Sequence, residues 1–188
     1  NYHYEVVATN GAGIDGEAAV LDVTVNAPPK TFEIPQTDMT ATASSEETKD
    51  EEETGYGYAK NVLDGDPSTV WCTQWNAELN EDGKHPGPHW LQIDLGQVYT
   101  LDHIDFLQRN LSSPHGQVIE YNLSYSEDGE NFTMFVENGQ WDLKDQSNTV
   151  ALENIRARYL KLDCLKGQGD YVPAAMAEVN VFAVEKSV

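Results

Sequence analysis

The run Asn61-Val-Leu-Asp-Gly-Asp-Pro-Ser-Thr-Val-Trp71 sets two carboxylates, hydroxyl side chains, a turn glycine and a turn proline ahead of a large aromatic. Asp64-Gly65 and Asp66-Pro67 are tight-turn dipeptides. A loop folded this way can turn carbonyl and carboxylate oxygens inward, which is what a hard cation such as calcium requires. It is not the helix-flanked calcium loop, which needs a further acidic position and a terminal Glu at fixed spacing. Two readings stand on spacing alone, an ordinary acidic β-turn and part of a cation site. The turn is favoured, because this loop by itself supplies too few oxygens.

Working outward, the chain downstream of the loop alternates with period two. Leu91, Ile93 and Leu95 share a face, as do Ile119, Tyr121, Leu123 and Tyr125, then Phe132, Met134 and Val136. Leu160, Leu162 and Cys164 repeat the pattern, followed by Val179, Val181 and Ala183. Such alternation, punctuated by turns at Glu127-Asp128-Gly129 and Gly167-Gln168-Gly169, predicts an all-β antiparallel sandwich or barrel without helices. Trp71, Trp90 and Trp141 are expected in its core rather than as ligand platforms. Residues 44–57 carry Glu46, Glu47, Asp50, Glu51, Glu52 and Glu53, and read as a solvated loop.

The size, 188 residues, allows one domain with a real core and a piece of another. With 11 Lys+Arg against 32 Asp+Glu, the net charge is −21. That disfavours nucleic acid and anionic membrane surfaces, both of which reward basic patches. No apolar run approaches the length of a membrane span. Asn1 opens within a strand pattern and no signal peptide is visible, so the chain is expected to begin mid-domain.

Upstream, Tyr2–Ala8 and Ala18–Val25 read as strands around Gly11-Ala-Gly-Ile-Asp-Gly16. These glycines match the dinucleotide fingerprint in form, but no helix follows to hold a pyrophosphate. A hairpin loop is the expectation. Tyr4 to Val25 resembles the last two strands of a fibronectin type III domain. Residues 1–26 are therefore expected as that fragment and 27–40 as a linker stiffened by Pro28 and Pro29. Residues 41–188 then form the main domain.

Six segments in order resemble the discoidin, or coagulation factor type C, domain. They are the opening run to Trp71, Thr73-Gln-Trp75, Pro88-His-Trp-Leu-Gln-Ile-Asp-Leu-Gly96, Tyr125-Ser-Glu-Asp-Gly-Glu-Asn-Phe132, Ala157-Arg-Tyr-Leu-Lys-Leu162 and Ala177-Glu-Val-Asn-Val181. The branch they resemble is that of the bacterial carbohydrate-binding modules of family thirty-two. The resemblance implies a galactose-binding-like jelly-roll sandwich with a structural calcium. Its side-chain ligands would fall on Asp64, Asp66, Thr69 and Glu178, and its carbonyl ligands on Lys60, Thr69 and Ala177. A distant Glu178 completing the shell shifts the reading of the opening loop from a bare turn to a calcium site.

The resemblance places sugar recognition in loops beside the calcium. Trp75 and Arg109 stand where the family has them, and an aromatic face with a guanidinium fork suits a polyol with an apolar patch. Cys72 occupies a position where the family has His, and His115 one where it has Asn. His115 retains hydrogen-bonding capacity. Tyr171 is the aromatic candidate of the last long loop, with Pro173 at the usual position. The implied function is a non-catalytic module that binds galactose- or N-acetylhexosamine-type glycans, appended to a larger secreted or bacterial cell-surface protein. A sugar-silent structural or protein-interaction module is the alternative. A membrane-binding discoidin domain is disfavoured by the charge.

No catalyst assembles from the remaining residues. His85 and His89 are four apart, but Pro86 and Pro88 forbid the helix that would align them for zinc. No nucleophile elbow is present. Acidic pairs are too plentiful for counting to exclude a glycosidase pair, but no resemblance supports one. An exported protein can join Cys72 and Cys164. Strand parity instead turns Cys164 to the core and Cys72 opposite to Trp71, so two free thiols are expected.

Overall fold

The computed structural model describes residues 2–24, 29–48, 57–74, 87–110, 112, 114–144, 146–153, 155–169 and 174–185. The chain divides into two units, Asn1–Lys30 and Thr31–Val188.

In the first unit β1 (Tyr2–Val6) and β2 (Ala19–Val23) pair antiparallel, with Tyr4 opposite Leu21. Their connection contains the glycine run. Asn10 Oδ1 accepts from the amides of Ala12 and Ile14, and Gly16 N–H donates to the Ala8 carbonyl. The run is thus a hairpin connection, held by an Asn side chain rather than open to a phosphate.

The second unit is an antiparallel jelly-roll β-sandwich. Its strands are β3 (Thr31–Glu33), β4 (Thr40–Ala43), β5 (Trp71–Cys72), β6 (Trp90–Gln108), β7 (Val118–Ser126), β8 (Thr133–Gln140), β9 (Ser147–Ala151), β10 (Arg156–Gly167) and β11 (Ala175–Val184). The long β6 serves both layers. Residues 90–94 pair with β4 and β10, whereas residues 101–108 pair with β11 and β9. The bend between these halves falls at Gly96, which has φ +79°. A Cβ there would stand 2.8 Å from the Asp38 carbonyl oxygen, so only glycine fits.

The alternating residues fill the space between the layers. Leu91, Ile93, Leu95, Leu160, Leu162, Val179, Val181 and Ala183 are all buried, as their period demands. Each large aliphatic contributes roughly 1.5–3 kcal/mol of apolar burial. Trp141 stacks on Tyr121 at 4.1 Å between centroids and tilts against Phe106 at 5.0 Å.

Several expectations are corrected. Residues 31–38 are not a linker: β3 pairs with the end of β11, and Ile34 is fully buried with its amide donating to the Val181 carbonyl. The β8 face is not Phe132, Met134 and Val136. Leu123 opposes Val136 and Ser124 opposes Met134, so Phe135 bulges, turns inward beside Val136, and leaves Met134 exposed. Trp90 is half-buried, with the Lys161 ammonium 5.3 Å from its ring centre. In the acidic stretch Glu47 is fully buried and Glu46 Oε1 caps the Ala59 amide, so its start belongs to the fold. Asp50, Glu51, Glu52 and Glu53 lie outside the described residues.

Candidate functional site

Residues 59–63 form a single 3-10 turn that delivers the chain into the acidic loop. Four side chains then fold the loop on itself. Asp64 Oδ1 accepts from the Asp66 amide, and Asp64 Oδ2 accepts from the Thr69 hydroxyl at 2.8 Å. Asp66 Oδ1 accepts from the amide and hydroxyl of Ser68, which hold its carboxyl below the usual range. Gly65 takes φ +72° between the two aspartates. Lys60 is exposed and sets its ammonium 5.1 Å from the Tyr58 ring centre, so only its backbone can serve the loop.

The start of β11 meets this loop. Met176 opposes Gln108 and Glu178 opposes Leu107, which leaves Ala177 as the extra residue of a bulge. A bulge breaks alternation and re-aims side chains. Glu178 consequently lies buried, at 4% exposure, beside the Asp64 carboxylate and the Gly65 amide. Gln36 donates from Nε2 to Glu178 Oε2 at 2.8 Å. Glu178 Oε1 has no hydrogen-bond partner among the described residues. Burial, with the like charge of Asp64, raises the Glu178 carboxyl to about 6, against the opposing pull of the Gln36 and Gly65 N–H groups.

A buried carboxylate oxygen with no partner, facing a second carboxylate, is costly unless a cation offsets it. The donor chemistry therefore fits a hard, oxygen-seeking ion at Asp64 and Glu178. The fit is incomplete in one respect: among the described residues no group of three or more His, Cys, Asp or Glu is gathered closely enough to hold a metal. Asp66, turned onto Ser68, is the expected ligand that stands apart.

Beyond the acidic loop, Arg109 follows β6 directly and His115 stands exposed on the loop that returns to β7. Arg109 Nη1 reaches the His115 carbonyl at 3.4 Å. Buried amides shape this loop. Gln108 donates to the Val118 carbonyl and accepts the Val118 amide, closing the loop at its base like an extra backbone pair. Gln117, only 1% exposed, donates to the Arg109 carbonyl at 2.6 Å. Gly116 bonds the Gln168 carbonyl and accepts from Ala175, so β11 anchors this loop too. The His115 ring lies over Gly169, where a Cβ would stand 2.6 Å from Nδ1.

Cys72 requires a correction. Its strand pairs with Ala175, and the thiol is 1% exposed, so it packs below the surface instead of presenting a hydrogen bond to a ligand. Burial on both sides of β5 also overrides the parity argument, since Trp71 beside it is fully buried. Both cysteines are free, and burial pushes the Cys164 thiol far above its usual range. Trp75, Tyr171, Pro173 and His85 lie outside the described residues. The structure thus joins Asp64, Thr69 and Glu178 in one place and Arg109 and His115 in another. Gln36, Gln108 and Gln117 are the residues that sequence reasoning missed, since a neutral amide carries no motif.

The fold and these loops have known counterparts. The F5/8 type C domain model matches residues 40–179. A family 32 carbohydrate-binding module from Clostridium perfringens, solved with galactose, superposes with a TM-score of 0.67 at 29% identity, covering 81% of this chain and 99% of that one. A second module from that organism, solved with GalNAc-beta-1,3-galactose, gives a TM-score of 0.69 at 33% identity, covering 81% and 100%. Among curated proteins, a sialidase of Micromonospora viridifaciens is 32% identical over 75% of this chain. An A type blood N-acetyl-alpha-D-galactosamine deacetylase of Flavonifractor plautii is 31% identical over 90% of it. The chain spans 20% of the length of each of those two proteins. With the family model matched across most of the chain and the sandwich shared from end to end with these modules, the chain belongs to the F5/8 type C, or discoidin, family.

Proposed function

We propose that this chain is a non-catalytic carbohydrate-binding module whose ligand is a galactose- or N-acetylhexosamine-type glycan. The observation that carries the reading is the likeness, over their full length, to modules solved with galactose and with GalNAc-beta-1,3-galactose. The meeting of Arg109 and His115 on one preformed loop supports it. A guanidinium and an imidazole there offer donors and an acceptor to ring hydroxyls. Trp75 and Tyr171 are assigned the apolar face of the sugar.

Asp64, Thr69 and Glu178, with carbonyls of Lys60, Thr69 and Ala177, would hold a structural calcium, and Asp66 joins them on a change of rotamer. When bound, the ion supplies charge compensation for Glu178 and ties β11 to the acidic loop. No reacting group takes part, so the chemistry of the module is adhesion. Its role is to raise the local glycan concentration for a larger secreted or cell-surface protein. The sialidase and the deacetylase, of which such a module is about a fifth, suit that role.

Titration calorimetry with galactose and with GalNAc-beta-1,3-galactose tests the reading. Binding is expected, with Arg109→Ala abolishing it while leaving thermal stability in place. A second reading, a sugar-silent spacer of the same fold, draws on the burial of Cys72 at a position where the family presents a polar contact. Failure of both sugars and of a wider glycan array would establish it. Turnover of glycosides by the pure chain would overturn the non-catalytic assignment.

A further inference from the structure

Gln36 links the two segments of the cation site to the leading part of the sandwich. It lies in the single turn Gln36–Asp38, immediately after β3. Its Nε2 donates to Glu178 Oε2 at 2.8 Å, to Asn180 Oδ1 at 2.9 Å and, more weakly, to the Val179 carbonyl at 3.2 Å. Three acceptors around one nitrogen fix the amide's orientation chemically. Its Oε1 then lies against the acidic loop, 3.7 Å from where a Gly65 Cβ would stand. One side chain thus touches β11 and the Asp64–Asp66 turn together. Its donation engages one Glu178 oxygen, while the other, Oε1, has no hydrogen-bond partner among the described residues.

The same segment is tied to β11 by its backbone. The Ile34 amide donates to the Val181 carbonyl, and β3 pairs residue by residue with Phe182, Ala183 and Val184. An outer partner that orients a ligand typically governs metal affinity by about 10- to 100-fold. Binding free energies couple reciprocally, so whatever holds Glu178 for the ion is itself held by the ion.

We propose that Gln36 is the positioning residue of the calcium site, and that through it calcium binding and the order of residues 31–38 are coupled. This rests on the calcium reading above. The ion does more than staple a loop, in this account. It sets how firmly the sandwich holds the segment by which the chain enters it.

The test measures calcium affinity by titration calorimetry, and amide hydrogen exchange of residues 31–38 in calcium and in chelator. For the wild-type chain, calcium binds and slows exchange across 31–38. For Gln36→Ala, affinity falls by about 10- to 100-fold and subsaturating calcium no longer slows that exchange. Gln36→Met, which keeps the side-chain length but has no donor, replaces the alanine variant if that one does not fold, and is expected to behave alike. Unchanged affinity in a folded variant overturns the positioning role. Weakened affinity with no calcium effect on exchange at 31–38 in the wild type overturns the coupling. Absence of calcium binding by the wild-type chain overturns the calcium reading itself, and this inference with it.

Discussion

The acidic loop at 64–69 and the amide-held loop at 109–117 both close on the first residues of β11, yet opposite chemistry holds them. The acidic loop presses Asp64 against a buried Glu178 and leaves one carboxylate oxygen without a partner among the described residues. The loop at 109–117 is closed by neutral amides, with Gln108 bonded at both ends to Val118 and Gln117 bonded to Arg109. The first carries electrostatic tension, which the proposed calcium would relieve. The second is held by the Gln108 and Gln117 side-chain amides and carries Arg109 and His115. On the proposed reading, the first region would gain order from its ion, whereas the second would meet its ligand already organised.

The largest effect is expected where the two regions share a support. Trp71 is fully buried, pairs with Met176, and donates its indole N–H to the Ser45 carbonyl. Trp71→Ala should cost about 3–5 kcal/mol in denaturant unfolding. It should impair calcium and glycan binding together. Loss of only one would show that the two regions are supported separately.

Next comes a change confined to the amide-held loop. Gln108→Ala strips both partners from the Val118 backbone in a buried place, at a cost of about 1–3 kcal/mol. The stability lost should be the same in calcium and in chelator, since no carboxylate is involved. A loss that depends on calcium would break the contrast between the loops.

The sandwich was legible because period two reports which way a strand side chain points, and Leu91, Ile93 and Leu95 all turn inward. Where the period slips, the reading slips with it: the bulge at Phe135 puts it beside Val136 on the core side and turns Met134 outward, and the one at Ala177 brings Glu178 to Asp64. Glu178 was linked to the acidic loop only by family resemblance, for no local pattern ties it to a loop more than a hundred residues away. Gln36, Gln108 and Gln117 were illegible altogether. Their role depends on which backbone groups the fold leaves open, and a sequence does not display that. Cys72 misled because a short strand covered on both sides has no exposed face.

A third prediction has a sign that turns on calcium. Burial and Asp64 raise the Glu178 carboxyl to about 6, so its ionised form destabilises the fold at neutral pH. Glu178→Gln removes that charge. In chelator the variant should be more stable than the wild type, by on the order of 1 kcal/mol. In calcium the order should reverse, because the wild type gains from the ion and the variant does not. A variant less stable in both conditions would show that Glu178 is a packed carboxylate with no tension to release.

The smallest effect belongs to an ion pair outside both loops, which separates general electrostatics from the special case of Glu178. Arg158 bonds Asp94 through Nε at 2.7 Å and through Nη2 at 2.9 Å, and the Gly96 amide adds a bond at 2.8 Å. The guanidinium holds the Asp94 carboxyl below its usual 3.8. A depressed carboxyl contributes stability that is fully present above the unfolded value and lost as the pH falls through the folded one. Both side chains are partly exposed, at 38% and 24%, so solvent screening keeps the pair below about 1 kcal/mol. Arg158→Met should therefore cost less than that at neutral pH, and the cost should shrink as the pH falls below the ordinary carboxylate range and Asp94 takes up its proton. Calcium should leave the difference unchanged. If calcium altered it, the charge at Glu178 would be felt across the sheet, and the acidic loop would not be the isolated site of tension that its contrast with the amide-held loop implies.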